Sequence, residues 1–80
     1  MGLVELPKTI YYHQPRIVLE GNRQLYLENH LGILLYDTEK VIIRCQGGEL
    51  IIEGKNLSLA LITDEEIYIE GEIRQVGYEF

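Results

Sequence analysis

The sequence predicts an all-β domain, a small antiparallel meander that forms a sandwich or a partly open barrel. The dominant hydrophobic period is two, and no segment sustains a period of 3.6. Ile, Val, Leu and Tyr dominate the alternating segments, which is typical of half-buried strands. A short β-solenoid is the alternative, because an apolar residue followed by Glu-Gly recurs along the chain. The three copies are Leu19-Glu20-Gly21, Ile52-Glu53-Gly54 and Ile69-Glu70-Gly71.

Short breaks separate the predicted strands. Gly21-Asn22 and Gly47-Gly48 favour two-residue hairpin turns, which require positive φ. Gly54-Lys55-Asn56 predicts a three-residue connection between two strands. In chain order the predicted strands are Arg16–Glu20, Gln24–Asn29, Gly32–Asp37, Lys40–Gln46, Glu49–Glu53, Leu57–Thr63, Glu66–Glu70 and Glu72–Phe80.

The alternation also predicts which side chains face the core. The final segment changes phase, since Ile73 falls in one phase and Val76 in the other. One extra residue moves every later side chain to the opposite face, so we expect a bulge near Gln75 or Gly77. The predicted core residues are Leu25, Leu27, Val41, Ile43, Cys45, Leu50, Ile52, Ile67 and Ile69.

The chain has 80 residues and a mass of 9.3 kDa, which allows one small domain. We divide it into a partly ordered N-terminal lead segment, residues 1–15, and a single all-β domain, residues 16–80. Cores of this size commonly need a disulfide, a metal or a partner. Cys45 is the only cysteine, so no intrachain disulfide can form. That leaves good packing or self-association, and the small core favours a homo-oligomer.

Charge and hydropathy exclude several classes of function. The chain carries 7 basic and 13 acidic residues, a net charge of −6, and its basic residues are scattered. Nucleic-acid binding requires a clustered positive face, so it is not expected. The segment from Met1 to Thr9 contains Glu5 and Pro7, unlike a secretory signal. The apolar runs fall far short of the roughly 20 residues that span a bilayer, so we predict a cytoplasmic protein without a membrane span.

No arrangement of reactive residues predicts a reaction. His13, His30 and Cys45 do not supply the ligand spacing of a zinc site, and no cofactor motif is present. Cys45 shares the phase of Val41 and Ile43, which indicates a buried thiol rather than a nucleophile. The sequence therefore predicts no catalytic residue, no metal, no cofactor and no enzyme activity.

Tyrosines are the candidates for an interaction surface. Tyr26 and Tyr68 alternate with predicted core residues, which is compatible with two placements. One is an outer face, where tyrosine is favoured at protein interfaces, and the other is cross-strand packing inside a sandwich. The segments Arg16–Glu20 and Gly71–Phe80 are candidate edge strands that could add to a partner sheet. On the second of these we predict three anchors, Val76, Tyr78 and Phe80.

A spread of short motifs resembles a known family. The motifs are Glu5-Leu6-Pro7, Pro15-Arg16-Ile17, Gly21-Asn22, the run from Gln24 to His30, the run from Gly47 to Gly54 and the run from Glu66 to Arg74. Together they resemble the YabP/YqfC sporulation protein family, most closely its YqfC branch. The resemblance covers roughly Glu5 to Phe80 and carries no catalytic signature. It implies a role in endospore formation, in the mother-cell compartment, with a membrane-associated sporulation protein as partner.

Two functional hypotheses follow from these observations. The first is a non-catalytic, all-β interaction or assembly module that acts in sporulation. The second is a small β-barrel that binds a small or lipid-like ligand between strands that are apolar on both faces, as Ile33–Tyr36 and Val41–Ile43 are.

Overall fold

The computed structural model describes residues 14–79, and all regular structure in that range is antiparallel β. The predicted all-β class is confirmed. Residues 1–13 of the predicted lead segment, including His13, lie outside the described residues, as does Phe80. The strands are β1 Arg16–Glu20, β2 Gln24–Glu28, β3 His30–Tyr36, β4 Lys40–Cys45, β5 Gly48–Ile62 and β6 Glu66–Glu79.

The six strands form one sheet in the order β1-β2-β6-β5-β4-β3. Strands β3 to β6 are a meander in which each strand pairs with the next along the chain. The β1–β2 hairpin is added beside β6, because β2 pairs with residues 66–70 of β6 rather than with β3. The chain leaves β2 at Asn29, whose φ of 68° turns it toward β3 on the other side of the molecule.

The last four predicted strands are joined into two long ones. Strand β5 has 15 residues and β6 has 14, and each continues through a segment that the turn-forming residues predicted as a break. Gly54-Lys55-Asn56 is therefore a bend inside β5 rather than a connection between strands. The physical reason is that the register with β6 shifts on both sides of this segment, which bends the pair without ending it.

Two glycines allow the bent strands to approach closely. A Cβ atom on Gly54 would collide with the carbonyl oxygen of Glu72. Gly71 has φ 137°, and a Cβ atom there would lie 2.6 Å from the carbonyl oxygen of Asn56. Only glycine satisfies both requirements at low cost. Two of the three Glu-Gly repeats thus mark the bends of β5 and β6.

The bends divide the sheet into two halves that share a core. We call β1, β2, residues 66–70 of β6 and residues 58–62 of β5 half-sheet A. We call β3, β4, residues 48–54 of β5 and residues 73–79 of β6 half-sheet B. Apolar side chains from both halves form a single buried cluster, so the two halves of this one sheet pack over a shared core. All nine predicted core residues are buried, together with Leu57 and Ile73.

The predicted bulge near Gln75 is confirmed. Gln75 pairs with Glu53, whereas Ile73 pairs with the next residue of β5, Gly54, so Arg74 is the extra residue of β6. The extra residue lets Ile73 and Val76 both contact the core although they differ in phase.

Candidate functional site

An apolar row crosses the outer face of half-sheet A. Register places Val18 opposite Tyr26, Tyr26 opposite Tyr68, and Tyr68 opposite Leu61. Directly opposed residues of a sheet share a face, so the four side chains form one line across four strands. We call Val18, Tyr26, Tyr68 and Leu61 the tyrosine row.

The tyrosine row lies on the side of half-sheet A that faces away from the core. Its neighbours in sequence, such as Leu25, Leu27, Ile67 and Ile69, point inward and are fully buried. Val18 is 38% exposed, Tyr68 is 37% exposed and Leu61 is 45% exposed. Adjacent exposed apolar side chains of this kind mark interaction surfaces more often than isolated ones do.

The two tyrosines at the centre of the row touch each other. Their ring centroids are 4.7 Å apart with an interplanar angle of 48°. The Tyr26 hydroxyl lies 2.7 Å from Glu66 Oε2 and 3.2 Å from Glu28 Oε2, and donates its hydrogen bond to these carboxylates. The bond to Glu66, partial burial and the bond to Glu28 raise the pKa of Tyr26 above its ordinary value, so its hydroxyl keeps its proton.

Charged residues flank the row on both sides. On one side Arg16 is opposite Glu28 and Glu28 is opposite Glu66, and Arg16 Nη1 lies 3.9 Å from Glu28 Oε1. On the other side Glu20 is opposite Gln24, Gln24 is opposite Glu70, and Glu70 is opposite Ser58. A shallow depression lies over the row at its β1 end, lined by Arg16, Val18, Glu20, Gln24, Tyr26 and Tyr68.

The structure brings together only two of the sequence-predicted surface residues, Tyr26 and Tyr68. Val76 is opposite Ile52 and Tyr78 is opposite Leu50, so both lie on the inner face of half-sheet B. Val76 packs against the core, whereas Tyr78 remains 40% exposed. Phe80, the third predicted anchor, lies outside the described residues.

The candidate edge strands occupy different positions in the sheet. Within residues 14–79, strand β1 pairs with β2 alone and ends the strand order. Strand β6 lies between β2 and β5 over residues 66–70, and the N–H of Ile73 donates a hydrogen bond to the Asn22 carbonyl oxygen in the β1–β2 turn. In the same range, residues 75–79 of β6 pair with β5 alone. The second half of β6 is therefore an edge of half-sheet B.

The other reactive side chains have structural roles in the described residues. His30 is buried, its Nδ1 accepts a hydrogen bond from Gly32 N at 3.0 Å, and its Nε2 lies 2.7 Å from the Thr63 carbonyl oxygen. Burial raises the pKa of the Cys45 thiol. Within residues 14–79 no group of three or more His, Cys, Asp and Glu side chains is placed to hold a metal ion. No helix in that range is long and apolar enough to cross a membrane.

Sequence reasoning did not include Val18 and Leu61 in the surface. Both are ordinary apolar strand residues, and nothing local separates an outward Val18 from the inward Ile17 beside it. The available signal was register. The turn has three residues, Gly21-Asn22-Arg23, rather than the two that the sequence predicted, and this length pairs Val18 with Tyr26 instead of Leu25.

The fold and the surface define a small, antiparallel all-β protein with an exposed aromatic row on one outer face. Comparison with known proteins adds a family. The YabP family model matches residues 12–80. The chain is also similar to uncharacterized protein YqfC of Bacillus subtilis (strain 168), with 39% identity over 75 residues, covering 94% of this chain and 81% of that protein. No solved structure matches the chain.

The chain therefore belongs to the YabP family, a sporulation-related family, as its sequence motifs predicted.

Proposed function

We propose that this protein is a non-catalytic interaction module that acts in sporulation by binding a protein partner through the tyrosine row. The observation that carries the proposal is the continuous line of Val18, Tyr26, Tyr68 and Leu61, which are paired across four strands on an outer face and have two tyrosine rings in contact at the centre. Tyrosine contributes large contact area at low conformational cost, and its hydroxyl tolerates water at the rim of an interface. Membership of the YabP family supports the setting in sporulation.

In this proposal the protein acts in the cytoplasm of the mother cell and its partner is a membrane-associated sporulation protein. Both statements rest on the family resemblance. The ligand-binding barrel is not carried further, because the space between the two half-sheets holds fully buried side chains such as Leu50, Ile52 and Leu57.

A double variant of the row tests the proposal. Tyr68→Ser with Leu61→Ser removes two exposed members of the row. Leu31→Ser with Leu34→Ser is the matched control, because these side chains are 64% and 48% exposed on β3, away from the row. We expect the row variant to lower heat-resistant spore counts and the recovery of cross-linked partner, and the control to retain both.

Folding must be checked before the spore counts are interpreted. Both double variants should keep the far-ultraviolet circular dichroism spectrum of the parent protein. Normal sporulation with a folded row variant would contradict the proposed surface.

Self-association is a separate proposal that uses the sheet edges. Among residues 14–79, strand β1 and residues 75–79 of β6 each pair on one side only, so a second copy could extend either edge. Light scattering after size exclusion tests this over a wide range of concentration. A mass that stays at 9.3 kDa, the mass of one chain, would contradict it. A Tyr78→Lys variant that leaves an observed oligomer intact would exclude the β6 edge.

A further inference from the structure

We infer that the segment bound at the tyrosine row is cationic, with lysine or arginine side chains placed among apolar residues. The inference rests on the proposed function and names the chemistry of its partner. It follows from the charges on the two sides of the row, which belong to the same outer face.

The outer face of half-sheet A is acidic. The residues that flank the row include four glutamates, Glu20, Glu28, Glu66 and Glu70, and one arginine, Arg16. The turn residue Arg23 lies beside Glu20 and Glu70 in a shallow depression. Arg16 sits at one end of the face beside Glu28, at 3.9 Å, where it offsets one carboxylate. A partner that covers the apolar row must place its own side chains beside the remaining carboxylates, and like charges there would oppose binding.

The corresponding face of half-sheet B differs. There Leu35 is opposite Ile42, Ile42 is opposite Ile51, and Ile51 is opposite Gly77, so these residues form a second row. That row is flanked by basic as well as acidic residues, namely Lys40, Arg44, Glu49, Glu53 and Glu79. Two basic residues offset the three glutamates there, so the excess of negative charge is smaller than on half-sheet A, where four glutamates flank the row.

The tyrosine pair adds a second reason for a cation. A lysine or arginine over a tyrosine ring is attracted to its negative face, and a nearby carboxylate adds its own Coulombic attraction for the cation. Tyr26 and Tyr68 present their rings side by side, 4.7 Å apart. The hydrogen bond from the Tyr26 hydroxyl fixes the Glu66 carboxylate beside these rings at 2.7 Å.

A second copy of the chain fits this face poorly. Two copies that met row to row would bring their glutamates together, and each chain carries a net charge of −6. Salt also changes the affinity of the two possible binding partners, a basic segment and a second copy, in opposite directions. Salt weakens attraction between the acidic face and a basic segment, whereas it relieves repulsion between two acidic faces.

Peptide binding tests the inference. The probe is a synthetic peptide in which lysine alternates with leucine and tyrosine, and its control carries glutamate in place of lysine. We expect the lysine peptide to bind the protein at least about tenfold more tightly than the glutamate peptide. We also expect its affinity to fall severalfold between about 0.01 M and about 0.15 M salt, as the Debye length shortens from about 30 Å to about 8 Å.

Two charge-matched variants localise the site. Glu66→Gln with Glu70→Gln removes the glutamates that flank Tyr68 on β6. Glu49→Gln with Glu53→Gln removes those that flank Ile51 on β5, with the same change in net charge. We expect the β6 variant to lose about threefold to tenfold in affinity for the lysine peptide, and the β5 variant to lose less than twofold.

Three results would overturn the inference. They are equal binding of the two peptides, equal losses in the two variants, or an oligomer that grows with salt and blocks the peptide. A different result would reject the proposed function, namely normal sporulation of the folded double variant Tyr68→Ser with Leu61→Ser. A sporulation defect in that variant, together with no preference for lysine, would keep the surface and reject the cationic partner.

Discussion

The Tyr26 hydroxyl and Glu66 Oε2 lie 2.7 Å apart, although 40 positions separate the two residues in sequence. The bond joins β2 to β6 on the outer face of half-sheet A. Strand β2 is also held to β6 by backbone pairing and by the buried side chains below it. The hydrogen bond therefore positions a side chain on the surface more than it holds the fold together.

Removal of this hydroxyl should have a small effect on stability. Tyr26→Phe keeps the ring contact with Tyr68 and loses the hydrogen bond to Glu66. We expect the free energy of unfolding to fall by about 0.5–1 kcal/mol in urea denaturation, since both groups are partly solvated. Glu66→Gln, which keeps an acceptor, should cost less. A loss above about 2 kcal/mol would show that the bond supports the β2–β6 pairing itself.

The bend at Gly71 should tolerate no side chain. Gly71→Ala adds a Cβ atom 2.6 Å from the Asn56 carbonyl oxygen, at a φ of 137° that alanine rarely adopts. We expect a loss of about 2–4 kcal/mol in the free energy of unfolding. Gly77→Ala is the matched control on the same strand, because a Cβ atom there meets no atom within 4 Å. The control should change stability by less than about 1 kcal/mol. Equal effects would mean that β6 does not bend at Gly71.

His30 should contribute to stability through both ring nitrogens. His30→Ala leaves the Gly32 N–H and the Thr63 carbonyl oxygen without this partner near a buried position. We expect the variant to lose about 1–3 kcal/mol, measured by urea denaturation. Leu31→Ala, the adjacent exposed position, should lie within about 0.5 kcal/mol of the parent protein. A stable His30→Ala protein would contradict a structural role for this histidine.

Cys45 should make the stability of the folded protein depend on pH in the alkaline range. Burial raises the pKa of its thiol in the folded protein, so the unfolded chain ionises first as the pH rises. The contribution of the neutral buried thiol is complete below the ordinary cysteine pKa, about 8.5, and is lost as the pH rises toward the folded value. We expect the melting temperature to fall as the pH rises above about 8.5.

The Cys45→Val variant provides the control for this pH dependence. It should melt with a smaller change over the same pH interval, because valine has no ionisable group. Identical slopes in the two proteins would assign the pH dependence to other residues. Folded protein should also react with iodoacetamide far more slowly than protein in urea, since the thiolate is the reactive form.

The inner faces of the strands could be predicted from sequence because they depend only on local alternation. All nine residues assigned to the core by their phase are buried, and the phase change between Ile73 and Val76 correctly indicated a bulge. The bends could not be predicted in the same way. Gly54 and Gly71 have the local chemistry of turns, and only the long-range pairing of β5 with β6 shows that the strands continue through them.

The candidate site was predictable in part. Tyr26 and Tyr68 were candidates for an outer face, but their contact depends on the pairing of β2 with β6, which no local pattern specifies. The positions of Val76 and Tyr78 also depend on strand pairing. Their alternation is clear, but their position opposite Ile52 and Leu50 is known only once the register of β5 and β6 is fixed.

The sequence by itself determined the all-β class, the inward phase of the nine core residues and the family. These follow from side-chain periodicity and from short motifs, which are properties of neighbouring residues. The tertiary structure alone decided that β2 pairs with β6, that two strands bend at glycines, and that Val18, Tyr26, Tyr68 and Leu61 form one row. Backbone hydrogen bonds are nearly the same for every residue, so the choice of partner strand depends on how the whole chain buries its apolar faces.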